Sequence, residues 1–293
     1  KKMALLIPDF APTEKLPESK EKWQEIHCEL VTPLHGGGVV ARESDDKLPV
    51  RVTAIRGQLR FWWRLLAQQK WNLSGKRLRE AEFRLWGGIG EEAAASLVFL
   101  RVQIQNKLKE ASLSDYAKGL NDPLGYALFT ARKTKTGLPE MKLGKEGLQW
   151  IVQWRLSEKV NETDKQQVLE TLRWWVTLGG LGGRTRRGCG AFKAEGIKLV
   201  PTEEMRELGC KILFLGSDKK VKDAWIDAIN EWKETRRKYK TEFRRLLGRN
   251  DEYSRHLATI FSRPVYESGQ WHGMVIMLPN SSPEVKQILE KTK

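Results

Sequence analysis

The feature that most constrains how this chain folds is a run of glycines and arginines in the second half of the sequence. Residues 174–192 read WWVTLGGLGGRTRRGCGAF, in which six glycines and three arginines follow an apolar helix end. Glycine adopts positive φ and has no side chain, so such a segment brings backbone N–H groups close to a partner. Guanidinium groups fork onto phosphate oxygens. We name residues 179–190 the glycine–arginine loop and predict that it binds a polyanion.

Common nucleotide-binding motifs do not describe this loop. A P-loop ends in Gly-Lys-Ser or Gly-Lys-Thr, which is absent here, and the dinucleotide fingerprint follows a strand rather than a helix. Residues 187–192 echo an RNA-recognition signature, but Cys189 and Ala191 stand where its stacking aromatics belong. A structural role stays open, in which the glycines permit tight packing and the arginines are solvated.

The charge of the chain narrows the class of partner. The 293 residues carry a formal net charge of +15, which favours a nucleic acid, an anionic membrane or an acidic protein. A generally solubilised surface is the alternative. Nine basic and no acidic residues lie from Lys47 to Arg79, whereas solvated surfaces intersperse the two signs. The distribution therefore favours a binding surface.

Composition argues against several other classes of protein. No apolar run approaches the roughly 20 residues of a membrane span, and the apolar stretch before Pro8 is too short for a signal peptide. Cys28, Cys189 and Cys210 are far apart, without a CxxC or a Cys/His cluster. We predict a cytoplasmic protein with reduced thiols, no membrane partner, and neither a cofactor nor a metal.

The order of predicted elements indicates an α+β fold with two ferredoxin-like (βαββαβ) domains, the second of them abbreviated. The first domain has predicted strands at 23–34, 96–105, 148–156 and 191–200 and helices at 53–69 and 163–178. Thr53 is predicted to cap the first helix, and Thr163 with Gln166 to form a capping box on the second. In this order the glycine–arginine loop lies beside the end of the first strand.

The second domain is predicted to follow a linker at 201–209. Its elements are a strand at 211–215, a helix at 219–247, a strand at 271–279 and the start of a helix at 282–291. No last strand is evident, so we expect either a truncated chain or a sheet completed differently. The expected organisation is an arm (1–22), a first domain (23–200) and a second domain (201–293).

The first predicted helix is amphipathic in two senses. An apolar stripe faces the core at helical spacing, and an adjacent face carries a row of guanidinium groups at Arg56, Arg60 and Arg64. Two tryptophan pairs, at 62–63 and 174–175, occupy matching places on the two helices. We predict that one ring of each pair packs in the core and that the other stacks on a base or a partner subunit.

Three residues of the loop after the first strand are candidates for catalysis. His35 follows the strand and offers an acid or base, although a lone histidine is usually a hydrogen-bonding residue. Asp45 and Asp46 offer carboxylates for Mg²⁺, although adjacent acids in a loop are usually solvated. The sequence completes neither site with further residues.

Three motifs together resemble the RAMP superfamily. They are TPLHGGG at residues 32–38, PVRVTAIRGQLRFWWR at 49–64 and GGLGGRTRRGCG at 179–190. The form IRGQLRFWWR is similar to the first subunit of type III-B (Cmr) CRISPR effector complexes. The resemblance covers residues 23–200 well and the rest loosely, through SRPVYES at 262–268.

The resemblance implies a non-catalytic RNA-binding subunit that caps a ribonucleoprotein complex near the 3′ end of the guide RNA (crRNA) and helps to capture target RNA. Its implied partners are the guide and target RNA and the other RAMP and small subunits. A RAMP ribonuclease that uses His35, Asp45 or Asp46, and a mainly structural end cap, are the alternatives. The residues expected to bind RNA are His35, Gly36, Gly37, Arg51, Arg56, Arg60, Arg64, Gly180, Gly182, Gly183, Arg184, Arg186 and Arg187.

Overall fold

The computed structural model describes residues 23–36, 38, 40–88, 93–119, 121–218, 220–241 and 259–281. The helices are α1 (Val52–Gln69), α2 (Gly75–Trp86), α3 (Pro123–Ala127), α4 (Glu162–Leu178), α5 (Thr202–Glu207) and α6 (Val221–Lys238). The strands are β1 (Gln24–Leu30), β2 (Val98–Ile104), β3 (Glu110–Ala111), β4 (Leu143–Gly144), β5 (Gln149–Leu156), β6 (Phe192–Glu195), β7 (Lys211–Asp218), β8 (Ile260–Glu267) and β9 (Gln270–Met277). Of the helices described, none is long and apolar enough to cross a membrane.

The first sheet has the strand order of a ferredoxin-like fold. Its four antiparallel strands lie in the order β2-β5-β1-β6, and Cys28 of β1 pairs with Trp150 on one side and Ala194 on the other. Alternate residues of β1 (Ile26, Cys28 and Leu30) point into the core, as their spacing predicts. The predicted α+β class is confirmed, with α2 and the segment between β2 and β5 as additions that the pattern did not reveal.

The second sheet is an abbreviated version of the same plan. Strands β7, β8 and β9 form an antiparallel sheet in the order β7-β9-β8, and α6 packs on it through Trp225 and Trp232. Strand β8 was absent from the prediction because nearly all of its residues are buried, so it lacks the period of two that marks a half-buried strand. The division at residue 200 stays a prediction, and the predicted arm and the helix at 282–291 lie outside the described residues.

Several predicted helix ends are wrong. No side chain caps α1, whose N-cap residue is Arg51 rather than Thr53. At α4 the Asn161 side chain accepts a hydrogen bond from the Asp164 N–H at 2.8 Å, which replaces the predicted box of Thr163 and Gln166. Both helices begin one residue earlier than predicted, so the threonines lie inside the first turn instead of ahead of it.

Two predicted spans are also wrong. The linker at 201–209 contains α5, where the Glu267 carboxylate accepts hydrogen bonds from the Thr202 N–H at 2.7 Å and from the Thr202 hydroxyl at 2.8 Å. Strand β6 ends at Glu195 rather than near 200, because Gly196 has φ +90° and lies against the Glu25 carbonyl of β1. The part of the predicted helix beyond residue 241 lies outside the described residues.

The tryptophan prediction is half right. Trp62, Trp63, Trp174 and Trp175 are all buried between α1, α4 and the sheet, and the rings of Trp62 and Trp174 lie 6.1 Å apart. The second ring of each pair is therefore a core residue rather than an exposed one. The half-buried Phe61 is the aromatic side chain that α1 presents beside this core.

Candidate nucleic-acid interface

The glycine–arginine loop is bonded along the end of β1. The Gly183 N–H donates to the His35 carbonyl at 2.7 Å, and the Gly190 N–H donates to the Pro33 carbonyl at 2.8 Å. Between them the Thr32 hydroxyl donates to the Gly188 carbonyl at 2.6 Å. The predicted position of the loop, beside the end of the first strand, is confirmed.

Glycine is required where the loop passes other backbone. Gly182 has φ +68°, and a Cβ there would stand 2.8 Å from the His35 carbonyl oxygen. Gly190 has φ +65°, and a Cβ there would overlap the Leu181 carbonyl. Part of the glycine content thus serves tight packing, which was the structural alternative to close contact with a ligand.

Two arginines of the loop bond to neutral groups. Arg184 donates to the Ala127 carbonyl and, at 3.2 Å, to the Tyr126 carbonyl. Arg187 lies over the Trp232 ring, 4.4 Å from its centroid, and donates to the Ile260 carbonyl at 3.4 Å. Within the described residues neither guanidinium is paired with a carboxylate.

The environment of these guanidiniums disfavours their charge. Burial lowers the pKa of Arg184, and it lowers the pKa of Arg187 to about 10. Both groups are still cationic at neutral pH, since their pKa values stay well above 7. Arg186, between them, is exposed on the short 3₁₀ turn Thr185–Arg187. The loop therefore concentrates positive charge beside the end of β1.

The arginine row of α1 is arranged differently. The Arg60 Nε lies 2.6 Å from a Glu82 carboxylate oxygen on α2, and an Arg64 nitrogen lies 3.4 Å from the same oxygen. Glu82 is buried, so it is held against both arginines. The half-buried Arg56 is the third member of the row, and burial followed by the charge of Arg60 lowers its pKa. One acid from an unpredicted helix offsets much of the row.

Gln58 joins α1 to the glycine–arginine loop. Its side-chain amide donates to the Gly180 carbonyl and accepts from the Gly180 N–H at 3.2 Å. Above this bridge, described residues of α1, the loop and β8 line a cleft of about 340 Å³, among them Phe61, Arg186 and Phe261. Sequence reasoning missed Gln58, although an amide set within a row of arginines was a signal that this helix face has a fixed partner.

The second sheet supports the base of the loop through Arg263. This side chain is 1% exposed and donates to the Leu178 carbonyl and, at 2.6 Å, to the Gly179 carbonyl. These carbonyls end α4, where a cation also interacts favourably with the helix dipole. Burial lowers the pKa of Arg263 to about 10. The Trp225 indole adds a hydrogen bond to the Arg187 carbonyl at 2.7 Å.

The candidate catalytic residues are occupied by structural contacts. The His35 ring is 7% exposed and hydrogen-bonds the Thr130 hydroxyl at 2.8 Å. Burial, together with the charges of Arg184 and Arg42, lowers the pKa of His35, so the ring is neutral at pH 7.

The two carboxylates of the loop after β1 differ from each other. Asp45 accepts from the Leu48 N–H at 2.9 Å and from Arg51 at 2.8 Å, and these bonds hold its pKa below the usual range. Asp46 is exposed. Among the residues described, no group of three or more His, Cys, Asp or Glu side chains is placed to hold a metal ion.

The thirteen predicted RNA-binding residues thus fall into three groups. The loop residues and His35 form one continuous surface, because the loop is bonded to the end of β1. Gly36 follows that surface with φ +69°, while Gly37 lies outside the described residues. Arg51 is paired with Asp45, and the α1 row meets the loop through Gln58. Their binding of RNA stays a prediction.

The family model of the RAMP superfamily matches residues 27–193, a span that runs from β1 to β6 and contains the glycine–arginine loop. The chain belongs to the RAMP superfamily. The resemblance seen in the three motifs is therefore confirmed, and within this RAMP protein the matched span is the ferredoxin-like unit described above.

Its curated relatives are Cmr1 subunits of the CRISPR Cmr system from Pyrococcus furiosus. Cmr1-1 is 28% identical over 201 residues, which cover 67% of this chain and 53% of that protein. Cmr1-2 is 25% identical over 185 residues, which cover 58% of this chain and 94% of that protein. The chain thus spans about half the length of Cmr1-1.

Solved structures show the same fold. The crystal structure of apo Cmr1 from Pyrococcus furiosus has a TM-score of 0.62 at 20% identity and covers 90% of both chains. A chain from the cryo-EM structure of a type III-B Cmr-β complex, bound to cognate target RNA and AMPPnP in the presence of single-stranded DNA, has a TM-score of 0.56 at 12% identity. That match covers 93% of this chain and 99% of the other. Identities this low establish the fold alone.

Proposed function

We propose that this RAMP protein is a non-catalytic RNA-binding subunit of a type III-B (Cmr) CRISPR ribonucleoprotein effector. The observation that carries the proposal is the pair of cationic side chains, Arg184 and Arg187, whose partners within the described chain are neutral carbonyls and rings. Charge that is held in place without a carboxylate attracts the phosphates of a nucleic acid. The Cmr1 relatives support guide and target RNA as the ligands and the other Cmr subunits as partners.

The protein reads the RNA backbone and its shape, while base pairing between guide and target reads the sequence. Two walls are available to a backbone in this arrangement. One is the glycine–arginine loop with the exposed Arg186, and the other is the face of α1 that carries Arg56. A position near the 3′ end of the guide, where the subunit caps the complex and helps to capture target RNA, is part of the proposal.

Substitution of the exposed arginine tests the phosphate contacts. Arg186→Ala, and Arg186→Ala with Arg56→Ala, should weaken RNA binding equally for unrelated sequences and lower the slope of log affinity against log salt by about 0.7 per lost contact to a single strand. The measurement is fluorescence anisotropy with labelled RNA at several salt concentrations. Arg206→Ala, which removes an exposed charge from α5, is the control. An unchanged slope in the double variant would disprove the phosphate role.

The absence of cleavage in the proposal is supported by the state of the candidate residues. His35 is neutral and buried beside Thr130, and Asp45 is held by two backbone N–H groups and Arg51. Incubation with labelled guide and target RNA, with and without Mg²⁺, should yield no new fragments. Fragments that disappear in His35→Ala or Asp46→Ala would instead establish the ribonuclease alternative.

A further inference from the structure

An aromatic ring borders the glycine–arginine loop without being part of the core. Phe129 follows α3, on the short 3₁₀ turn Phe129–Ala131 in the segment between β2 and β5, and it is 41% exposed. Burial of such a side chain would contribute about 2 kcal/mol to folding. One exposed ring needs no explanation by itself, so its surroundings decide its meaning.

The surroundings of Phe129 are cationic. The Arg184 guanidinium lies 4.6 Å from the ring centroid, and that of Arg132 lies 6.0 Å from it. The neighbouring Thr130 holds the His35 ring, and the carbonyls of α3 hold Arg184. The ring is therefore fixed against the loop by contacts on both of its sides along the chain.

The sequence that follows Phe129 is basic. Residues 130–145 contain five lysines and arginines and one acid. Lys142 is paired with Glu110 at 3.5 Å, and the exposed Lys133 and Lys135 stand on the turn that follows Arg132. An aromatic face inside a cationic field matches a nucleobase with its phosphates, because bases stack on the ring while phosphates meet the charges.

Two other exposed rings of the described chain lack this setting. Phe99 lies on the open face of the first sheet beneath Arg155, 4.7 Å from its guanidinium. Phe214 belongs to the second sheet and packs against His272 at 4.4 Å between ring centroids. Of these three rings, Phe129 is the one in contact with an arginine of the glycine–arginine loop.

We infer that Phe129 is a stacking platform for one unpaired base of an RNA strand whose phosphates lie on the glycine–arginine loop. The inference rests on the proposed function and adds to it a site for a base. An unpaired base is required, since a base inside an A-form duplex already has both faces stacked on its neighbours. Stacking does not depend on base identity, so the site selects single-stranded RNA rather than a sequence.

Variants of Phe129 separate stacking from charge. In the full chain, Phe129→Ala should weaken binding of a single-stranded RNA oligonucleotide about tenfold. The salt slope should not change, because no cation is removed. Phe129→Trp should restore binding, and Phe99→Ala, which truncates an equally exposed ring elsewhere, should bind as the unmodified protein does. Circular dichroism and thermal unfolding confirm that each variant is folded.

RNA with a single abasic site gives an independent readout. When the abasic position is moved along the strand, one position should weaken binding to the unmodified protein and leave binding to Phe129→Ala unchanged. Loss at every position alike, or equal loss in both proteins, would overturn the platform.

The outcomes distinguish the two proposals. If Phe129→Ala binds RNA normally while Arg186→Ala lowers the salt slope, the platform is wrong and the proposed function stands. If the unmodified chain binds RNA without salt dependence, both are wrong. If Phe129→Ala keeps its RNA affinity and loses binding to another Cmr subunit, the ring belongs to a protein interface and the platform is wrong.

Discussion

The glycine–arginine loop and the arginine row of α1 use the same residue type on adjacent elements, yet their charges are balanced in different ways. Arg184 and Arg187 of the loop bond to carbonyl groups and lie over rings. Arg60 and Arg64 of the row share the buried carboxylate of Glu82. The number of arginines in a segment therefore does not measure the charge that it offers to a ligand.

The two regions also depend on distant parts of the chain to different degrees. The row forms as soon as α1 and α2 pack, within 31 residues counted from Val52 to Glu82. The loop takes its shape from β1, from α3 and from Arg263 of the second sheet. We expect substitutions that break these long-range contacts to have the largest effects and substitutions in the row to have smaller ones.

The largest expected contrast is between two glycines. Gly190→Ala forces a Cβ into the Leu181 carbonyl at positive φ and should lower the free energy of unfolding by about 3 kcal/mol or more. Gly57→Ala, within α1, meets no atom within 4 Å and should raise it by about 0.5–1 kcal/mol. Urea unfolding followed by tryptophan fluorescence measures both. Equal effects would show that the loop backbone is not the constrained one.

Arg263→Met should have the next largest effect. The methionine keeps the apolar volume but leaves the Leu178 and Gly179 carbonyls without their buried donor, which should cost about 2–3 kcal/mol of unfolding free energy. RNA affinity should fall as well, since the loop begins at these residues. Arg206→Met, an exposed position, is the control and should change neither quantity. A stable Arg263→Met with normal RNA binding would show that the second sheet does not position the loop.

The same contrast explains what the sequence predicted. The strands and the two long helices of the first sheet were predictable, because their periodicities of 2 and 3.6 arise from one buried face. The place of the glycine–arginine loop followed from that order alone. Strand β8 and helix α2 were missed because the strand is buried on both faces and the helix shares its polar pattern with the surrounding basic segment.

The bonding of the site was less predictable than its position. Nothing in local spacing pairs Glu82 with Arg60 and Arg64, or Arg263 with the end of α4, because such contacts arise when separate elements pack. The same holds for Phe129, whose meaning depends on Arg184, 55 positions later in the chain. Sequence reasoning located the cations, and tertiary structure determined which of them are balanced by acids.

The smallest expected effect comes from the acid of the row. Glu82→Gln keeps an oxygen that accepts a hydrogen bond from Arg60 but removes the negative charge, so stability should fall by only about 1 kcal/mol. RNA affinity at low salt should rise about threefold to tenfold, with a steeper salt slope, because the charges of Arg60 and Arg64 are no longer offset.

Glu80→Gln separates a local effect of Glu82 from a change in net charge. Glu80 lies two residues away on the exposed side of α2, where its partner is Lys76 at 3.7 Å, so the substitution adds the same charge away from the row. If both variants gain affinity equally, the net charge of the chain rather than the row determines binding. If Glu82→Gln loses affinity, Glu82 serves to hold Arg60 and Arg64 in the geometry that RNA requires, and the row is then a second prepared site like the loop.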